Sequence, residues 1–241
     1  MAITLPTKRT PADSKSPKRL FIYSAPKSGK TTAVAALDDC LLIDLEKGAG
    51  FVSAMKVQID TIEELGEVIS SVKKAGKPYR YGAIDTTTKL EEIVVPLANK
   101  LYKQTQMGKD WDEDSVLSLP RGAGYLYLRK AYQQVMAALD DCFERVIYLG
   151  HLKDSSISKE GKEVAVRDID LTGKLKSITC ASTDAIAFMY RKENQTILSF
   201  RQGEDIISGA RPLHLKNRDI VILESDEKEN LTSYWDKIYI D

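Results

Sequence analysis

Histidine, cysteine and net charge are what this chain has least of. His151 and His214 are the only histidines, too few to draw a zinc constellation. Cys40, Cys142 and Cys180 are odd in number, form no CxxC pair and sit in apolar runs. They read as reduced core residues of a cytosolic protein rather than as a disulfide framework. Lys and Arg total 35 against 35 Asp and Glu, so no bulk field draws the chain to nucleic acid or membrane. Any site for a polyanion must therefore be a local patch. No apolar run approaches membrane-spanning length, and the N-terminus lacks a signal-peptide core, which predicts no membrane association and a cytoplasmic location. Internal repeats and a second domain boundary are also missing from the pattern.

What remains is 241 residues, 43% hydrophobic and 29% charged, enough to bury a core as one α/β domain without staples. Its most informative stretch is Ser24-Ala25-Pro26-Lys27-Ser28-Gly29-Lys30-Thr31-Thr32. An apolar run, Leu20 to Tyr23, precedes it with strand character, and Thr32 to Leu37 can continue as a helix. Strand, tight loop, Gly-Lys-Thr and helix make a phosphate cradle: loop N–H groups form an anion nest, and the helix N-terminus adds partial positive charge. In that reading Lys30 reaches the β- and γ-phosphates of ATP and the Thr31 hydroxyl ligates Mg²⁺. The strict pattern opens with glycine where this chain has Ser24, which would be strained if the position needed a positive φ.

Met1 to Lys18 carries Pro6, Pro11 and Pro17 among polar residues and reads as an extended N-terminal arm ahead of a single domain, 19–241. Ile3 and Leu5 are suited to add a strand to a neighbouring subunit; a disordered tail is the alternative. Cys40 to Glu46 is a second buried strand with acidic final residues, and the C-terminal strand ends of a parallel sheet line its ligand crevice. Glu46 there can polarise the water attacking a γ-phosphate, whereas Asp44, deeper in the strand, is suited to hold backbone. Alternation puts both carboxylates on one face. Thr61 to Ala75 has apolar residues at helical spacing, and Tyr81 to Thr87 is a third strand whose Asp85 would bind Mg²⁺ through water. Lys89 to Tyr102 predicts a helix interrupted near Pro96, and Gly122 to Cys142 a long amphipathic one. Arg145 to His151 is a fourth strand. His151 at its end either senses the γ-phosphate or is a satisfied polar group.

Lys103 to Pro120 is polar, with Lys109 and Trp111, and Lys153 to Asp170 is a charged stretch with Lys159, Lys162 and Arg167 that reads as a solvated loop. A helix should run from Leu171 to about Ser182, followed by strands Ala185–Tyr190, Thr196–Arg201, Ile220–Leu223 and Tyr234–Ile240.

In this order the motifs resemble a RecA-type P-loop ATPase core: the loop ending Gly29-Lys30-Thr31, the strand Ile43 to Glu46, the strand ending Asp85, the strand ending Gly150-His151, and Gly173-Lys174-Leu175-Lys176 before Asp184. A core without large flanking domains is similar to the phage-encoded RecA-like ATPases of the Sak group. The C-terminal stretch Ser208 to Lys216 and the Trp-containing C-terminus carry that part of the likeness.

The resemblance implies a mostly parallel twisted sheet flanked by helices, with additional C-terminal antiparallel strands. It implies ATP hydrolysis with Mg²⁺, Glu46 as catalytic carboxylate and His151 in the sensor position, where RecA itself has Gln. It implies DNA-binding loops at Lys103 to Gly122 and Lys153 to Asp170, and so single-stranded DNA contacts from Lys109, Lys159, Lys162 and Arg167, with Trp111 or a loop tyrosine for stacking. It further implies a homo-oligomer, ring or filament, whose sites take a cation from the neighbour. Arg191-Lys192 is the first candidate for that cation, and Arg211 with Lys216 the second. A single-strand-binding protein is the partner such recombination ATPases suggest, in a bacterial host cytoplasm if the chain is phage-encoded. A hexameric helicase-type motor, a small-molecule kinase and a nucleotide-binding module without turnover are the alternatives.

Overall fold

The computed structural model describes residues 5, 7–12, 14–159, 162–203 and 206–241, and for 155–159 and 162–166 the backbone alone. The apolar run before the cradle forms β1 (Arg19–Ser24), and the loop passes directly into α1 (Lys30–Ala35). Then come β2 (Cys40–Asp44), β3 (Met55–Gln58), α2 (Ile62–Lys74), β4 (Tyr81–Asp85), α3 (Thr87–Ile93), α4 (Val95–Lys103) and α5 (Gly124–Asp140). The second half holds β5 (Arg145–Lys159), β6 (Lys162–Ile169), α6 (Gly173–Ser182), β7 (Ala185–Lys192), β8 (Gln195–Ser199), β9 (Gly209–Ala210), β10 (Asp219–Ser225) and β11 (Leu231–Ser233).

Among the described residues these strands make one sheet in the order β11-β10-β8-β7-β1-β5-β4-β2-β3, with β6 attached to β5 and β9 to β7. The run from β7 to β3 is parallel, and β8, β10 and β11 add antiparallel pairs at one edge. This is the mostly parallel α/β sheet expected from the sequence.

Parallel strands buried on both faces need continuous apolar runs, and Leu20 to Tyr23 and Ile147 to Leu149 are fully buried. Phe21 and Tyr23 point to a core shared with α2 to α6, whereas Leu20 and Ile22 meet Ala33 and Val34 of α1 and the C-terminal segment. α5 buries Leu128, Ala131, Tyr132, Val135, Met136 and Leu139, one stripe at helical spacing. α2 begins with a capping box, in which Glu64 N–H donates to Thr61 Oγ1 at 3.2 Å and Thr61 N–H to the Glu64 carboxylate at 3.1 Å. The helix expected to break near Pro96 breaks at Val94, where α3 hands over to α4. Cys40 and Cys142 are buried and Cys180 half-buried, all as free thiols. No helix among the described residues is long and apolar enough to cross a membrane.

Three expectations are corrected. Lys153 to Asp170 is not a loop but the β5–β6 hairpin, paired from Leu152↔Ile169 to Lys159↔Lys162. Backbone hydrogen bonds across the strands do not depend on side-chain charge, so the charge of the stretch was no guide to it. Tyr234 to Ile240 is not a strand but a 3₁₀ turn, Trp235–Lys237, and its flanks. Trp235, Ile238 and Tyr239 are buried at i, i+3 and i+4, the spacing of a helical turn rather than of a pleat. Finally, Lys103 to Gly122 folds through three short 3₁₀ turns, and Trp111 packs edge-on to Tyr102 with centroids 5.4 Å apart. Its half-buried ring belongs to the core edge and is not a free stacking platform. Gly124 allows the close approach there, because a Cβ would lie 1.7 Å from the Val116 carbonyl oxygen.

The end of the segment read as an arm is tied down. Ser14 and Ser16 bond the guanidinium of Arg145, which also pairs with Asp241. The C-terminal turn supports the cradle from beneath, since Trp235 Nε1 donates to the Ala33 carbonyl at 2.8 Å in a buried setting. Trp235→Phe keeps the packing and orphans that carbonyl, so unfolding free energy should fall by about 1–3 kcal/mol in urea denaturation. An unchanged midpoint and slope would show that the indole N–H carries no weight.

Candidate nucleotide site

The parallel register brings the acidic strand ends level with the cradle: Ser24 pairs with His151, Asp85 with Leu149, and Asp44 with Asp85. The loop itself turns through Lys27 (φ 61°) and Gly29 (φ 96°), both left-handed, while Ser24 keeps an ordinary φ. Serine at the first motif position therefore carries no backbone strain, and the left-handed conformation that favours glycine falls at Gly29. Ser24 is fully buried and its hydroxyl pairs with that of Ser28, whose Oγ also bonds Ala25 O at 2.7 Å. Pro26, Lys27 and Ser28 form the open crest, and Thr32 lies in the first turn of α1.

Lys30 is only 6% exposed. Its ammonium donates to Ser24 O at 3.3 Å, Ser24 Oγ at 3.2 Å and Ala25 O at 3.2 Å, all oxygens of the loop. Burial pushes its pKa below the ordinary lysine value, opposed by the carboxylates of Asp85 and Glu46. Thr31 Oγ1 donates to Asp85 Oδ2 at 2.6 Å. Burial raises the Asp85 pKa; the Thr31 hydrogen bond opposes this, Glu46 and Asp44 add to it, and Lys30 opposes it.

Asp44 and Glu46 part company, contrary to the alternation expected of them. β2 ends at Asp44, and the chain then turns through Lys47 at φ 57°. Asp44 is fully buried and accepts the N–H groups of Glu46 (3.1 Å), Gly48 (3.2 Å) and Ala49 (2.9 Å), so it holds the loop that carries Glu46. Glu46 Oε1 in turn accepts Thr86 Oγ1 at 2.6 Å and meets His151 Nε2 at 2.8 Å. The two histidine-bearing and carboxylate-bearing strand ends are thus joined directly.

The remaining predicted site residues lie apart from this cluster. Arg191 is exposed near the end of β7, with β1, β5 and β4 between it and the strand that precedes Glu46. Arg211 donates to Asp184 at 3.0 Å at the other end of β7, and Lys216 is exposed beyond it. Lys109 is exposed in the turn region before α5. The side chains of Lys159 and Lys162 lie outside the described residues. Arg167 sits at the root of the hairpin with its guanidinium carbon 5.3 Å from the Phe188 ring centroid.

The donor set suits a hard cation. Thr31 and Asp85 offer oxygen ligands, and no group of three or more His, Cys, Asp and Glu side chains among the described residues could cage a metal unaided. Mg²⁺ is held in just that way, by one or two protein oxygens with water and substrate oxygens completing its shell.

Two features escaped the sequence. Thr86 was visible beside Asp85, but its bond to Glu46 depends on folding. The other is a cationic cleft of about 390 Å³ where Arg121, Arg129 and Lys174 meet at the N-termini of α5 and α6. Neither helix has a capping side chain or an acid in its first turn, but the Glu91 carboxylate accepts the Thr172 N–H at the start of α6 at 3.1 Å, which leaves the α5 N-terminus as the uncompensated one. The cleft's lining comes from two separate segments, 121–129 and 172–175, and no local pattern could have joined them.

Comparison with known proteins adds a family. A family model described as an AAA domain matches residues 16–212. No curated protein matches the sequence. Among solved structures, a crystal structure of the RadB recombinase is 12% identical, with 91% of this chain and 92% of that chain covered and a TM-score of 0.47.

The buried charges make a stability prediction. The folded protein holds the Lys30 proton less tightly than the unfolded chain, so stability rises with pH between the depressed folded pKa and the ordinary lysine value. At neutral pH the charged Lys30 is therefore a cost. Lys30→Met should abolish ATP hydrolysis yet raise the Tm by about 2–4 °C, the shift that ~1 kcal/mol produces in a domain of this size. A lower Tm in the nucleotide-free protein would show that contacts to Ser24 and Ala25 outweigh desolvation.

Proposed function

Because the chain belongs to the AAA-domain family, we propose that it binds and hydrolyses ATP and couples that turnover to single-stranded DNA in recombination or annealing of the phage type. The observation that carries the reading is the capture of Glu46 between Thr86 and His151, level with the Thr31–Asp85 pair and the cradle of Lys30. In this reading the loop N–H groups and the α1 N-terminus receive the phosphates. The Lys30 ammonium exchanges its loop oxygens for those of the transferring phosphoryl group and neutralises their charge. Glu46 accepts a proton from the attacking water as oxygen joins the γ-phosphorus and the bond to the ADP oxygen breaks. His151 and Thr86 orient the carboxylate. Thr31 and Asp85 would hold Mg²⁺, which when bound offsets phosphate charge.

The DNA part rests on the cationic cleft of Arg121, Arg129 and Lys174, which compensates for the zero net charge of the whole chain. The uncapped N-terminus of α5 and three guanidinium or ammonium groups suit a phosphate backbone. It replaces Trp111 and supplements Lys109, Lys159, Lys162 and Arg167 as the site to test. A homo-oligomer that completes each site with Arg191 of a neighbour belongs to the same proposal. A hexameric helicase-type motor would use the same core, and ring or filament form in negative-stain images separates the two.

The decisive experiment is ATP hydrolysis with and without single-stranded DNA. DNA should stimulate the rate, and Glu46→Gln should cut turnover by ~10²–10⁴-fold with nearly unchanged ATP affinity. A parent rate in Glu46→Gln would remove Glu46 as the base, and a DNA-independent rate would leave an ATPase acting on something else.

Replacing Arg121, Arg129 and Lys174 by Ala should weaken binding of all single-stranded sequences alike. The slope of log K against log salt should flatten by about 2 units, at ~0.7 per lost phosphate contact. An unchanged slope would move the DNA site out of this cleft.

A further inference from the structure

β7 is buried more deeply on one face than on the other. Ala185, Ala187 and Met189 are at most 1% exposed, whereas Ile186, Phe188 and Tyr190 are half-buried, Ile186 and Phe188 packing against the edge of the core. Beside Phe188 and Tyr190 lies a cleft of about 580 Å³, lined also by Ala25 of the phosphate loop, Ile206 and Arg201. Along it the rings of Phe188 and Tyr190 stack at 6.2 Å with their planes 19° apart, and the buried Tyr23 lies beside Phe188 on β1 at 5.6 Å. Arg167, from the root of the β5–β6 hairpin, lies over Phe188. Arg201 stands at the far wall, paired with Asp219 at 2.7 Å.

We infer that this face is a stacking platform for the unpaired bases of single-stranded DNA, with Tyr190 and Phe188 as the aromatic surface and Arg167 and Arg201 facing the phosphates. The inference rests on the single-stranded-DNA reading above and adds where the bases go. A planar aromatic surface flanked by guanidinium groups is complementary to a chain of bases on an anionic backbone, and it is sequence-tolerant because every base has a π-face. Duplex DNA offers no free base face to it. The base of the bound nucleotide is a poorer occupant. α1, whose N-terminus receives the phosphates, packs on the sheet face of Leu20 and Ile22, and the cleft opens on the face of Tyr23. A purely apolar segment of a second copy would offer no charge to Arg167 or to the Arg201–Asp219 pair, whereas a phosphate backbone does.

The test uses the full chain, fluorescence anisotropy, and two probes of equal length: a labelled oligo(dT) and a labelled abasic oligonucleotide. The parent should bind oligo(dT) the more tightly. Tyr190→Ala should weaken oligo(dT) binding by about tenfold, within the range that loss of one stacked base produces. It should leave the abasic affinity, the basal ATPase rate and the Tm near those of the parent. Tyr190→Trp should place a reporter whose emission is quenched by oligo(dT) and not by the abasic probe. Phe188→Leu preserves apolar packing against Tyr23 and removes a stacking ring, so it should also lose oligo(dT) selectivity. Folded Tyr190→Ala and Phe188→Leu proteins that bind oligo(dT) as the parent does would overturn the platform and leave DNA binding intact. A parent that binds neither probe would overturn the DNA reading, and the platform with it. Weakened ATP binding in Tyr190→Ala with unchanged DNA binding would assign the cleft to the nucleotide base and also overturn the proposal.

Discussion

A lysine ammonium held almost out of water is the constraint on which the site depends. Lys30 can stay charged there only because the loop turns its own oxygens inward and because Asp85 and Glu46 lie close enough to oppose the cost of burial. Those carboxylates are near for a reason that belongs to the sheet. β1, β5, β4 and β2 are parallel and in register, so their C-terminal ends reach the same level. One acid, Asp44, spends its hydrogen-bonding capacity on backbone N–H groups and fixes the loop after β2. The next, Glu46, is thereby presented to Thr86 and His151 with one oxygen engaged and the other free of both.

β5 links this site to the surface. The strand that carries Tyr148 and Leu149 through the core continues past His151 into the hairpin with β6, without a break in its extended backbone. Arg167, returning on β6, brings the far leg of the hairpin back over Phe188 beside the phosphate loop.

The chain's neutrality has a structural counterpart. Charge is sorted rather than accumulated, with acids at the ends of β2 and β4 and bases where α5 and α6 begin. A field built from such local separation falls off within about 8 Å at physiological salt, so it acts on a bound ligand and not at long range.

The sequence by itself determined the phosphate loop, the parallel strands and the helix stripes, because each depends on spacing within one segment: Gly29-Lys30-Thr31 after Leu20 to Tyr23, or Leu128 to Leu139 along α5. It also separated the tasks of Asp44 and Glu46 by depth in the strand, but it put their side chains on one face, which the turn at Lys47 undoes. Only the tertiary structure decided that the charged stretch after His151 is a hairpin, that Trp111 is spent in the core, and that Trp235 braces α1. It alone joined Arg121, Arg129 and Lys174, and set Phe188 and Tyr190 along the cleft beside β7. The contacts of Trp235 with α1 and of Lys174 with Arg121 join segments far apart in the chain, and a period of two or of 3.6 residues carries no information about which distant segment will cover a given face.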